Sequence, residues 1–404
     1  MLALSEVSMN NPSRILVIAL LLTAVRPFPA PGCTTAVISP LAGSGGRPVL
    51  WKNRDSDFPN NKVIYVREAP YSYVALVNAE DRSGRWAYAG LNSAGFAIFN
   101  SVAYNLPERS GEMKDLEGTI MADALRTCST VDDFERYIQE NLGPSLGSLA
   151  NFGVLDAEGG AALFEVSNHT CKKYLAADAP EKYIVNTNFA RSGETGTGAG
   201  YLRFERASQL FREPPAGGIT PQWILSRVSR DTGHVLVKQL SFPEFRSVSA
   251  AKPVWIATRD TIDRDATSAA VVVSGRKPGE ENSLATFWVQ LGEPLFTVAV
   301  PLWLEAGTVP AELQLGEKAP ICLEAGRLKR LARPYPESDR REYLDASRLD
   351  NREGTGFLPG LLKAEREILS LTEAFLKARR SPDELAAFQE RMAQKALAAL
   401  RAAH

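Results

Sequence analysis

Cys33 is singled out by what precedes it. Arg14 is followed by the apolar run Ile15-Leu-Val-Ile-Ala-Leu-Leu-Leu-Thr-Ala-Val25 and then by Arg26-Pro-Phe-Pro-Ala-Pro-Gly32. The run has the length of a signal-peptide core and is too short for a comfortable membrane span. Ala30 and Gly32 put small residues three before and one before Cys33. Residues 1–32 are therefore expected to form a cleaved signal peptide. The alternative, a buried N-terminal strand, is opposed by the prolines that follow the run. A cysteine freed at a mature N-terminus carries two reactive groups. The thiol is a nucleophile with a pKa of about 8.5, and the α-amine, at about 7.7–8, can accept its proton. The same pairing operates between a hydroxyl and an N-terminal amine. In the precursor that nitrogen is a non-basic amide, so removal of residues 1–32 is the expected activation step.

Such a nucleophile needs a carboxylate to orient the amine and donors to hold an oxyanion. Trp51-Lys-Asn-Arg-Asp55 supplies candidates. Strand alternation places Asn53 and Asp55 on one face and Lys52 and Arg54 on the other. The same run also reads as the solvated rim of a hairpin.

The elements that must position these residues are mostly short strands. Expected strands cover 35–39, 48–52, 62–67, 73–78 and 96–101, bounded by Gly, Pro, Asn and Asp. Gly43-Ser-Gly-Gly46 is the turn between the first two. A helical pair follows at 116–128 and from Thr130 to about Glu140, the second with a capping start. Strands resume at 151–156, 161–166, 174–176 and 183–187, and again at 253–257, 269–274, 286–291 and 295–300. Residues 220–229 and 203–211 read as helical. This order indicates an α+β fold with antiparallel sheets and segregated helices. The charged stretch 329–353 reads as mostly solvated. Residues 361–379 and 382–403, with Ser381 as N-cap, read as a helical hairpin packed on the core or on a partner subunit. The expected organisation is a signal peptide over 1–32, a catalytic domain over 33–310, and a charged linker with the helical hairpin over 311–404.

Composition narrows the chemistry. The chain has 404 residues, a net charge of -1, four cysteines and three histidines. The near-neutral charge gives no general attraction to nucleic acid or an anionic membrane. No two histidines stand at ligand spacing, so no metal and no cofactor are expected. A histidine-based triad would have to rest on His169 or His234, and no motif surrounds either. Cys128 and Cys171 read as small hydrophobes. Asn168-His-Thr170 matches a glycosylation acceptor.

Cys33-Thr-Thr, the glycine-rich turn and Trp51-Lys-Asn-Arg-Asp55 together resemble the linear-amide branch of the N-terminal nucleophile (Ntn) hydrolases. That branch includes choloylglycine (bile salt) hydrolases, penicillin V acylases and the acyl-coenzyme A:isopenicillin N acyltransferases. The resemblance runs from Cys33 to about Leu304. It takes in Gly90-Leu-Asn-Ser-Ala-Gly95, Asn151-Phe-Gly-Val, Tyr183-Ile-Val-Asn-Thr-Asn188 and Tyr201-Leu-Arg-Phe204. It implies a four-layer αββα sandwich and a set of roles. Cys33 matches the nucleophile, Asp55 the aspartate that orients its amine, and Asn188 the oxyanion donor. Arg203 matches the arginine that holds the charge network, and Asn100 is the nearest match to the second oxyanion group. Lys52 departs from the pattern, which often has arginine there, and Arg54 is expected to compensate.

The expected activity is cleavage of a linear amide in a small acylated substrate, by hydrolysis or by transfer to an amine, in a secreted or periplasmic protein. A homo-oligomer fits the helical tail. Two other readings remain open: a dipeptidase of the same superfamily, and a non-catalytic binding protein anchored to a membrane by lipid on Cys33. The second is weakened by Ala30-Pro31, where a lipoprotein signal usually has an aliphatic residue three before the cysteine.

Overall fold

The computed structural model describes residues 32–109, 111–112, 115–281, 284–335 and 340–404. The expected signal peptide lies outside the described residues except for Gly32. β1 (Thr34–Ile38) and β2 (Val49–Asp55) form an antiparallel hairpin across the Gly43–Gly46 turn. A seven-stranded meander follows: β3 (Asn61–Val66), β4 (Tyr73–Asn78), β5 (Ala89–Asn92), β6 (Ala97–Val102), β7 (Leu149–Leu155), β8 (Ala161–Ser167) and β9 (Cys171–Leu175). Helices α1 (Glu117–Thr127) and α2 (Val131–Asn141) lie between β6 and β7 in the chain. β10 (Tyr183–Asn186) returns to pair with β1, and α3 (Tyr201–Phe211) follows it. After the short strand β11 (Trp255–Ala257) come β12 (Thr267–Ser274), β13 (Thr286–Leu291) and β14 (Val300–Leu302). They complete a six-stranded antiparallel sheet in the order β10-β1-β2-β12-β13-β14.

The two sheets face each other and helices cover both outer faces, the αββα arrangement expected above. Side-chain alternation builds it. In β4, Val74 and Leu76 enter the core between the sheets, while Tyr73, Ala75 and Val77 enter a second core under α1 and α2. Phe134 of α2 anchors that second core, edge-on to Phe152 and Phe164. Thr130 caps α2 through a capping box closed by Asp133.

The other outer layer includes α3 and three helices from the end of the chain: α4 (Pro320–Ala332), α5 (Leu358–Phe375) and α6 (Pro382–Ala402). The last two form the expected hairpin, with Ser381 and Glu384 as a capping box. Their apolar residues, including Leu361, Ile368, Leu385 and Phe388, belong to the same core as the six-stranded sheet. A buried ion pair ties them down. Glu365 of α5 accepts from both terminal nitrogens of Arg230, at 2.6 and 2.8 Å, and also from Gln290 and the Ala299 N–H.

Several expectations need correction. Residues 329–353 are not mostly solvated: Arg333 is buried against Glu293, and β15 (Tyr343–Asp345) pairs with β11. A buried carboxylate partner makes burial of this charged stretch tolerable. The strand expected at 295–300 begins instead as a 3-10 turn, Pro294–Phe296, and becomes strand only at Val300. The buried Asp263 carboxylate takes the Leu295 N–H, so that group cannot join a ladder. Asn168 is 7% exposed and its amide is bonded to the Ser148 N–H and to Glu112. It is therefore not presented as a glycosylation acceptor. All four cysteines are free, with Cys128 buried and Cys171 only half-buried.

Removing one partner of the Arg230–Glu365 pair strands a buried charge. Glu365→Ala is expected to lower unfolding stability by about 3–5 kcal/mol, and the double substitution Arg230→Met/Glu365→Leu by markedly less. Chemical denaturation of the three proteins measures the difference, and equal losses would contradict it.

Candidate active site

The pairing of β1 with β2 decides how Cys33 is presented. Thr34 lies opposite Asn53, and Thr35 opposite Lys52. Opposed residues share a face, and Cys33 is two residues before Thr35. Its side chain therefore points with Lys52 toward the meander sheet. Thr34, Asn53 and Asp55 point the other way, toward the helical layer with α3. Asn53 spends its amide there on the Ser229 and Ile262 carbonyls.

Lys52 is 2% exposed. Its ammonium donates to Asn100 Oδ1 at 2.7 Å and to the Tyr88 carbonyl at 2.9 Å, and its charge acts on the neighbouring Cys33 side chain. Those two partners leave one of the three ammonium donors free to face Cys33. Burial lowers the Lys52 pKa to about 8, against the opposing pull of Cys33. Arg54, on the same face, is committed elsewhere: it bonds Asn61 and Asn78 and lies 3.8 Å over the Tyr88 ring. Burial holds its pKa below the usual arginine value.

On the main-chain side two arginines grip the peptide units around Cys33. Arg203, in the first turn of α3, donates from Nη1 to the Cys33 carbonyl at 2.7 Å and to Thr34 Oγ1 at 2.9 Å. Its Nη2 donates to Asn188 Oδ1 at 2.8 Å. Gly200, at φ 80°, makes room for this side chain, because a Cβ there would lie 2.6 Å from Arg203 Nη2. Burial lowers the Arg203 pKa to about 10, and neighbouring Arg264 adds to the effect. Arg264 donates from Nε to Asp55 Oδ2 at 2.6 Å and from Nη2 to the Gly32 carbonyl at 3.1 Å. Thr267 donates to the other Asp55 oxygen at 2.7 Å. A register shift between Thr267 and Ala269, opposite the end of β2, brings Thr267 into line with Asp55. Tyr104 stands close by, and its pKa is pushed up to about 12 by burial and then by the nearby Cys33.

The five residues singled out in the sequence thus join one connected network. Arg203 touches Cys33 and Asn188 and comes within 3.9 Å of Asp55. Lys52 connects Cys33 to Asn100. Arg203 is buried rather than a surface residue of its helix. Three points differ from expectation. Lys52, a departure from the family pattern, itself stands on the Cys33 face of the hairpin, and Arg54 does not stand in for it. The direct ion pair to Asp55 comes from Arg264, whereas Arg203 stays farther off. Asn188 Nδ2 is already engaged, donating to the Val102 carbonyl at 3.0 Å. Arg264 and Thr267 lie in a run without motif or clear period; Asp263-Arg-Asp265, charged residues just before a buried strand, is the only signal they give. Both interior histidines are engaged elsewhere, His169 with Glu112 and His234 with the Leu236 and Val237 N–H groups.

No protein-family model matches the chain, and no curated protein matches it. Among solved structures it is similar to amide hydrolases. One is a single-residue variant of conjugated bile acid hydrolase from Clostridium perfringens, at 11% identity and a TM-score of 0.37, covering 67% of this chain and 92% of that one. Another is penicillin V acylase from Agrobacterium tumefaciens, at 15% identity and a TM-score of 0.40, covering 67% and 86%. These likenesses are loose, and the site rests on its own geometry.

Lys52 has a signature that can be measured. It titrates near 10.5 when unfolded and about 8 when folded. Between those values the unfolded chain binds more protons, so stability contributed at this residue rises with pH. Relative to Lys52→Met, the wild-type chain is expected to gain about 3 kcal/mol across that interval. Urea denaturation of both proteins at about pH 7 and about pH 10 reads the gain. A pH-independent difference would show that Lys52 is not held this way.

Proposed function

We propose that this chain is the precursor of a secreted or periplasmic cysteine amidohydrolase or acyltransferase, which cleaves a linear amide through an acyl-cysteine thioester. One observation carries the reading. Cys33 heads a central strand with its side chain on the face of Lys52, while Arg203 and Arg264 hold the carbonyls on either side of its nitrogen.

Removal of residues 1–32 converts that nitrogen into an amine within the network of Asp55, Arg264 and Thr267. The amine takes the thiol proton, and the sulfur attacks the substrate's amide carbonyl. Asn188, oriented by Arg203, is placed to donate to the resulting oxyanion. Collapse breaks the carbon–nitrogen bond. The leaving amine takes the proton from the Cys33 ammonium, and an acyl thioester remains. Water releases the acid, or a second amine takes the acyl group.

In the precursor, Gly32 fills the place where a substrate would approach Asn188. A Cβ on Gly32 would lie 2.2 Å from Asn188 Oδ1 and 2.9 Å from Arg203 Nη2. The inward thiol, on a residue only 8% exposed, favours catalysis over lipid anchoring, because an acyl chain on this sulfur would have to fit between the sheets.

Mass spectrometry of the protein made with its own leader is expected to give an unmodified N-terminal Cys33. Assay against a conjugated bile acid, penicillin V, N-acyl amino acids and dipeptides should find turnover of an acylated amine. Cys33→Ala should reduce it by at least about a thousandfold. A diacylglyceryl mass on Cys33, or full turnover by Cys33→Ala, would overturn the proposal. Gly32→Ala should destabilise the precursor and leave the mature enzyme, which lacks that residue, with wild-type activity. Matched thermal unfolding of both precursors tests this.

A further inference from the structure

Thr267, one of the two residues that hold Asp55, also lines a cavity of about 460 Å³. That volume is in the range of small-molecule sites. Its walls come from the turn after β2, the start of β12, Gly292–Glu293 and one face of α4. The α4 wall belongs to the last ninety residues, beyond the part of the chain that resembles the Ntn hydrolases.

The charges in this cavity do not balance. Lys329 and Arg333 both pair with Glu293, at 2.9 and 2.5 Å, and Arg341 pairs with Asp265 at 2.9 Å. Three cations meet two carboxylates. Two further cations in the lining, Lys318 and Arg330, have no ion-pair or hydrogen-bond partner among the described residues, and the only other lining acid is Asp57. The surplus is two positive charges. Part of the surface is small and apolar, formed by Gly292, Cys322 and Ala325. Gly292, at φ 106°, lets α4 approach closely here, since a Cβ there would lie 2.5 Å from that of Ala325.

We propose that this cavity is a second binding site, for a small anion with a compact apolar body: a carboxylate or a phosphate carried on a ring-sized group. The apolar wall takes the body, and Lys318 and Arg330 meet the anionic head. A guanidinium and an ammonium accept either head group, carboxylate or phosphate. An occupant lies beside Thr267, and so one residue from Asp55, without entering the Cys33 site.

Isothermal titration of the Cys33→Ala protein separates binding from any turnover. The probes are benzoate, phenyl phosphate and neutral benzyl alcohol. At least one anion is expected to bind saturably with one-to-one stoichiometry, and benzyl alcohol at least about tenfold more weakly. Lys318→Glu/Arg330→Glu should weaken the anion by at least about tenfold. The control Lys363→Glu/Arg366→Glu, which makes the same charge change on the exposed side of α5, should leave binding unchanged. Gly326→Leu tests the cavity without altering charge. A Cβ there would meet nothing nearer than Arg330 Nη1 at 3.7 Å, so the backbone accepts a side chain, and the leucine is expected to fill the cavity and abolish binding. Absence of saturable binding by both anions, equal weakening in the two charge variants, or unchanged binding in Gly326→Leu would overturn the proposal.

Discussion

The register between β1 and β2 is the constraint on which the site depends. With Thr34 opposite Asn53 and Thr35 opposite Lys52, the thiol of Cys33 faces one layer and its peptide groups are met from the other. A slip of one residue would exchange the faces. Lys52 would then leave the thiol, and Asp55 would leave the two residues that bind it. Both strands are fully buried in the interior of the six-stranded sheet, so such a slip would also send every side chain of the pair into the wrong one of two packed layers. Stability of the core and presentation of Cys33 are therefore set by the same pairing.

Around this register the fold buries more positive than negative charge. Lys52, Arg54, Arg203 and Arg264 surround one carboxylate, Asp55, and one thiol. Buried cations are costly unless bonded, and here each is bonded to carbonyls, amides or Asp55. The depressed pKa values of Lys52 and Arg203 record the remaining cost. Such a surplus of buried cations favours an additional negative charge beside Cys33.

The end of the chain belongs to this organisation. Glu365 bonds Arg230 and Gln290, Gln290 pairs with Ser229 Oγ, and the Ser229 carbonyl accepts from Asn53 in β2. A continuous hydrogen-bonded path thus runs from α5 to the strand that carries Lys52 and Asp55. The helical hairpin packs on the six-stranded sheet and shares its core.

Local periodicity was enough to place most of the strands, the helical pair, the capped C-terminal helices and the alternation that splits Lys52 from Asp55. Cys33 stood out in the sequence because a signal-like segment precedes it, and Asp55, Asn188, Arg203 and Asn100 because they match a family that the sequence resembles. Only the tertiary structure decided what these residues touch. Arg264 lies 209 positions from Asp55 in the chain, and no spacing rule reports a contact across that separation. The same holds for Lys329–Glu353, which reads as solvated by composition and is in part buried because Glu293 waits for Arg333 on a distant strand end. Period and motif describe what one segment can present, whereas the partner of a buried charge is chosen by how distant segments pack.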